Sequence, residues 1–146
     1  PQPIRLGKAE LLRSGEDLAL LAYGSMVATA WHAADALDEE GVRCTVVNLR
    51  FAKPLDEETI LEVTRGAKTV ITLEEGVAAT GIGEGILRLL HEHGLADRPV
   101  RVMGMPDRFI EHGSQGELLK EVGLDAEAVA EVARSLVRKR SGRNLI

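Results

Sequence analysis

Cysteine is nearly missing from this sequence: Cys44 stands alone among 146 residues. A single thiol excludes an intrachain disulfide and a cluster of cysteine metal ligands. Nothing here demands an oxidising compartment, so a cytoplasmic location is expected. Aromatic residues make up only 3%, too few for a base-stacking platform. Positive charge is in deficit, with 18 Lys and Arg against 23 Asp and Glu and a net charge of −5. That balance argues against a general nucleic-acid role. No apolar run approaches the ~20 residues that cross a bilayer. Pro1-Gln2-Pro3-Ile4-Arg5 lacks the charged-then-apolar pattern of a signal peptide. The chain also opens on proline rather than methionine, which allows it to be a piece of something longer.

What is present is ordinary globular composition, with 45% hydrophobic and 28% charged residues. One domain is expected at this length, burying roughly two-thirds of its unfolded surface. β-like runs and helical patterns alternate. Lys8 to Leu12 is a weakly extended candidate, and Ser14-Gly15-Glu16-Asp17 supplies a turn. Leu18-Ala19-Leu20-Leu21-Ala22 is continuously apolar, as a strand buried on both faces should be. So short a connection predicts a hairpin, with the first strand antiparallel to the second. Gly24-Ser25 opens a helix with Ser25 as N-cap, Val27, Ala30, Trp31, Ala34 and Leu37 on its buried face, and Gly41 as its stop. Cys44 to Val47 is β-branched and reads as a strand.

Asp56 should cap the next helix, with Leu55 and Ile60 forming a hydrophobic staple, and that helix ends near Gly66. Thr69 to Leu73 reads as a strand ending at Glu74-Glu75-Gly76. A glycine-bearing loop then leads to a helix with Ile82, Ile86, Leu89 and Leu90 on one face, stopped by Gly94. Val100 to Met103 is the last strand. Ser114 with Glu117 spells a capping box, and Asp125 caps a final helix with Leu124 and Val129 as its staple. The expected architecture is a three-layer α/β/α fold around a five-stranded mixed sheet, mostly parallel, with one antiparallel edge strand near the N-terminus. Residues 1–16 form an N-terminal extension and first strand, 17–140 the domain proper, and 141–146 a loose tail.

Several residues could carry chemistry. Thr80-Gly81-Ile82-Gly83-Glu84-Gly85 sits between a strand and a helix, where an anion could bind. Its spacing is neither the dinucleotide fingerprint nor the phosphate loop, and Glu74, Glu75 and Glu84 put negative charge nearby. Glycines that permit a tight turn and close helix–sheet packing are the better account. His91 and His93, two apart on a helix, point to different faces and do not share a metal easily. Cys44 reads as a buried, inert thiol. The segment from Gly104 to Ser114 follows the last strand at its carboxyl end, where open α/β sheets build their crevice. It gathers Asp107, Arg108, Glu111 and His112 in one loop, which suits either a ligand or inter-domain contact or a connection held by its own ion pairs.

These residues also look familiar. Asp17-Leu18-Ala19-Leu20-Leu21-Ala22-Tyr23-Gly24-Ser25-Met26 resembles the opening of a transketolase C-terminal domain, and Thr72-Leu73-Glu74-Glu75-Gly76 with its glycine turn resembles the middle of one. Gly104-Met105-Pro106-Asp107-Arg108-Phe109-Ile110-Glu111-His112-Gly113-Ser114, followed by Gly123-Leu124-Asp125-Ala126, is similar to the 1-deoxy-D-xylulose-5-phosphate synthase family in particular. The likeness runs from about Arg5 to Arg138. One departure is Ala78-Ala79-Thr80 before Gly81, where the family often has adjacent glycines; it leaves the assignment intact.

The resemblance implies a parent enzyme that condenses pyruvate with glyceraldehyde 3-phosphate, releases carbon dioxide and yields 1-deoxyxylulose 5-phosphate. It implies thiamine diphosphate and Mg²⁺ as cofactors and a homodimer as the working unit. The family's Gly-Asp-Gly metal signature does not occur here, and the resemblance places the cofactor-binding groups on the preceding domains. No catalytic, cofactor-binding or metal residue is therefore assigned. Glu74, Glu75, Asp107, Arg108 and His112 are the expected contacts to a neighbouring domain or pocket rim. The segment would support dimer and inter-domain packing and be inactive alone. Two other readings compete. One is the matching domain of a transketolase or of a 2-oxo-acid dehydrogenase β subunit, acting as an interaction module. The other is a nucleotide-binding module using Gly81, Gly83 and Gly85.

Overall fold

The computed structural model describes residues 2–108, 110 and 113–143. Its elements are β1 (Glu10–Arg13), β2 (Leu18–Ala22), α1 (Met26–Glu39), β3 (Cys44–Asn48), α2 (Glu57–Gly66), β4 (Thr69–Val77), α3 (Ile82–Glu92), β5 (Val100–Met105), α4 (Gln115–Glu121) and α5 (Ala126–Arg143). The five strands form one sheet in the order β1-β3-β2-β4-β5. β2 lies at its centre and every one of its residues is buried. Alternation along β2 divides the core. Leu18, Leu20 and Ala22 point into a cluster with α1 and α5, and Ala19 and Leu21 into one with α2 and α3. Three layers result, as the residue pattern predicts.

The antiparallel edge strand is present, but its partner differs from the expected hairpin. β1 pairs with β3, and β3 is parallel to β2, so β3 lies between the first two strands. Next-nearest strands are about 10 Å apart, a gap that the extended residues between Arg13 and Leu18 span easily at about 3.3 Å each. The connection is laced to the start of β3. Thr45 Oγ1 donates to Gly15 O (2.6 Å) and accepts from Gly15 N (2.9 Å), while Arg43 N donates to the Asp17 carboxylate (2.9 Å). A Cβ on Gly15 would stand 2.5 Å from the Arg43 carbonyl carbon, so this crossing requires glycine. A short connection implies a hairpin only when no third strand competes for the space.

α1 corrects two further expectations. Its buried residues are Met26, Ala30, Ala33, Ala34 and Leu37, a clean helical stripe whose alanines let α5 approach with Ala130 and Ala133. Trp31 lies 100° round from Ala30 and stays 39% exposed, with the Arg13 guanidinium 5.5 Å from its ring centroid. Ser25 is itself helical (φ −62°, ψ −20°) and makes no side-chain cap bond. Gly41 does stop the chain at φ +81°, the left-handed value that favours glycine.

β4 runs to Val77, one residue past the expected end in Glu74-Glu75-Gly76, because Val77 pairs with Met105 after an irregularity that begins at Leu73. α5 continues to Arg143, so Ser141 to Arg143 are helical where a loose tail is predicted; residues 144–146 lie outside the described residues. Nothing in its first three residues stops that helix: serine, glycine and arginine can all extend an existing turn at modest cost. No helix among the described residues is long and apolar enough to cross a membrane.

Candidate functional site

The chain leaves β2 for β3 on one side, then returns across β2 to reach β4 on the other. The carboxyl ends of β2 and β4 therefore flank the topological switch point, where open α/β sheets form their crevice. A cleft of about 550 Å³ lies there, with Tyr23, Leu55, Glu74, Thr80, Ile82 and Arg88 among its walls.

Glu74 dominates the cleft floor. Only 4% exposed, its carboxylate accepts the N–H groups of Ile82 (2.9 Å) and Gly83 (3.0 Å). These are among the first amides of α3, which have no partner within the helix, and a negative charge suits that end of the helix dipole. Around it the backbone closes in. A Cβ on Gly81 would overlap the Glu74 carboxylate, and one on Gly76 would lie 2.9 Å from Glu74 Oε2. Gly83 faces the sheet, where a Cβ would meet Val102 Cγ1 at 2.5 Å and Thr72 Oγ1 at 2.7 Å. The glycine run serves turn and packing, as its spacing suggests. The amides that a nucleotide phosphate would use are already taken by a protein carboxylate. A diphosphate brought here would meet the charge of Glu74, so the residues do not fit the phosphate end of thiamine diphosphate. Among the described residues, no group of three or more His, Cys, Asp and Glu could hold a metal ion.

Glu75, Asp107 and Arg108 lie along the same end of the sheet. Glu75 is exposed and accepts a 2.7 Å bond from Gln115 Nε2, tying β4 to the start of α4. Asp107 and Arg108 are exposed in the turn after β5, where Arg108 N donates to Pro106 O (2.9 Å). His112 and Glu111 lie outside the described residues. The capping box of Ser114 and Glu117 forms as the sequence spells it. Glu74 as the cap of α3 has no local sequence signal, since its partners are eight and nine residues downstream.

Two buried groups outside the cleft lining have shifted acidities. Asp56, also 4% exposed, accepts from Thr59 N (3.2 Å), Thr59 Oγ1 (2.7 Å) and Ala9 N (2.9 Å). Burial disfavours its charge, but these bonds and the nearby Lys8 ammonium outweigh burial, and the carboxyl is held below its ordinary value. Burial pushes the Cys44 thiol up to about 12, which leaves it protonated and unreactive near neutrality.

A crossover sheet with one antiparallel edge and a cleft at the switch point defines a doubly wound α/β domain. Residues 7–129 match the family described as Transketolase, C-terminal domain, and the chain belongs to that family. Among curated proteins, it is 46% identical over 136 residues to the 1-deoxy-D-xylulose-5-phosphate synthase of Desulforudis audaxviator, covering 93% of this chain and 22% of that enzyme. The synthase of Heliobacterium modesticaldum is 46% identical over 133 residues, with 91% and 20% covered. The chain thus spans about a fifth of the length of these relatives. Among solved structures, a split-gene transketolase described as an inactive β4 tetramer superposes with a TM-score of 0.83 at 31% identity, over 92% of this chain and 43% of that one. A Pichia stipitis transketolase shares the fold at a TM-score of 0.66 and 24% identity, over 93% of this chain and 19% of that one.

Proposed function

We propose that the chain is the C-terminal domain of a 1-deoxy-D-xylulose-5-phosphate synthase. The parent enzyme joins the two-carbon remainder of pyruvate to glyceraldehyde 3-phosphate, releases carbon dioxide and supplies isoprenoid and thiamine synthesis. The observation that carries this reading is 46% identity over 93% of the chain to an enzyme of that name. Thiamine diphosphate and Mg²⁺ supply the carbanion chemistry, and both are assigned to the domains preceding this one. This segment acts as scaffold: it packs against the rest of its own chain and supports a homodimer in the cytoplasm. Glu75, Asp107, Arg108 and His112 are proposed to face the neighbouring domain. The transketolase alternative has weaker support, at 31% identity to the split-gene protein.

Two assays test the reading. The full-length protein should convert pyruvate and glyceraldehyde 3-phosphate to 1-deoxyxylulose 5-phosphate when given both cofactors, and failure to do so removes the assignment. Residues 1–146 alone should show no turnover, and turnover would overturn the scaffold role.

A further inference from the structure

Among the described residues, four large apolar side chains stand exposed: Ile4 (64%), Leu6 (78%), Leu11 (54%) and Trp31 (39%). They do not share one face: Trp31 stands beside Leu12 on the α1 side of the sheet edge, Ile4 lies on the arm before β1 against Tyr23 and Phe51, and Leu11 faces the other side, against Thr59 and Val63 of α2. Two shallow depressions of about 470 and 570 Å³ meet at Gly24. Leu12, Val27 and Trp31 line one; Ile4, Tyr23 and Phe51 line the other. Two of the arginines beside them are paired within the chain. Arg50 pairs with Glu10 at 2.7 Å, and Arg13 pairs with Asp35 at 2.8 Å and Asp38 at 3.4 Å while covering the Trp31 ring. Two adjoining depressions lined largely by apolar side chains suit an apolar partner face.

We propose that the margin these two depressions form is an intrachain docking surface, covered by the polypeptide that precedes this segment in the full-length protein. The proposal rests on the reading under Proposed function and adds the surface and its occupant. The matched relatives extend far beyond this segment, which is 22% of the first of them, and the family it belongs to is a C-terminal domain. The preceding polypeptide must therefore join through the arm that carries Ile4 and Leu6. A face delivered on that tether arrives at an effective concentration in the millimolar range with no prior association needed.

The test uses the full-length protein with single substitutions Ile4→Cys, Leu6→Cys or Trp31→Cys, compared with Glu92→Cys on α3, where the side chain is 60% exposed. Maleimide labelling, read on the peptide by mass spectrometry, should be about tenfold slower at the three margin positions than at residue 92. Benzophenone-maleimide attached at residue 6 in mixed light and heavy isotope copies should cross-link to residues upstream in the same copy. Labelling as fast as at residue 92 overturns the proposal. So do cross-links that join light to heavy copies, which would assign the margin to a second copy, and cross-links confined to this segment. Product formation by the same preparations keeps the two readings apart. Without it the synthase assignment falls; with it, failure of protection sinks the docking surface alone.

Discussion

α2 and α3 both begin on a buried carboxylate, yet the two caps are built in different ways. Asp56 stands at the N-cap of α2 and bonds Thr59, three residues on. It also accepts Ala9 N from the arm, so one side chain fixes a helix and the chain that passes it. Glu74 belongs to β4 and reaches across the turn between Val77 and Gly81 to hold amides eight and nine residues away. The first cap is a local device that any fold could use. The second exists only once β4 and α3 are side by side, and it fills the spot at the switch point where related architectures hold an anion from outside. The same physical need, orphan amides at a positive helix end, is met by sequence in one case and by tertiary structure in the other.

The largest expected effect separates packing from capping at α3. Gly83→Ala forces a Cβ against Val102 and Thr72 and should cost about 3 kcal/mol by overpacking, read as a lower urea midpoint at constant slope. Next come the cap and its turn. Glu74→Ala and Gly81→Ala should each cost about 2 kcal/mol, the first by orphaning two amides and the second by displacing the carboxylate. The double variant should cost little more than Glu74→Ala, since the clash at residue 81 disappears with the side chain it strikes. Additive losses would show that the carboxylate and the glycine act separately.

Asp56→Asn should cost about 1 kcal/mol at neutral pH. The Asp56 carboxyl is held below its ordinary value of 3.8 in the folded chain. Its stabilisation is thus fully present above that ordinary value and is lost as pH falls through the lower folded one. The gap between wild type and Asp56→Asn should therefore be flat from pH 5 to 7, on the order of the values bracketing ordinary carboxylates, and narrow only in stronger acid. A gap that widens on acidification would refute the direction. The smallest effect belongs to α1. Ser25 makes no cap bond, so Ser25→Ala should change stability by less than about 0.5 kcal/mol, whereas Ser114→Ala, which breaks a complete capping box, should cost about 1 kcal/mol.

Legibility follows the same division. Caps bonded three residues ahead, at Asp56, Ser114 and Asp125, are visible in sequence and form as read. The strands are visible as apolar or β-branched runs, and the three-layer plan follows from their alternation with helices. What is hidden depends on neighbours distant in the chain. Gly15 matters because it crosses Arg43, and Trp31 leaves the core because the α1 alanines face α5. The Gly81 to Gly85 run invites a phosphate until Glu74 is seen on the amides. The candidate contacts at Glu74 and Glu75 prove to have different partners, one in the backbone of α3 and the other in α4.

The strand order also sets a constraint on assembly. Leu11 finds its ladder partner at Val47, so the first strand of this segment has no seat until its third has been made and aligned. Until then nothing anchors the arm, and whatever polypeptide enters through it is free to complete its own folding. Chronology of synthesis and chronology of sheet formation run in opposite directions at this margin, and the edge of this sheet closes only after its centre exists.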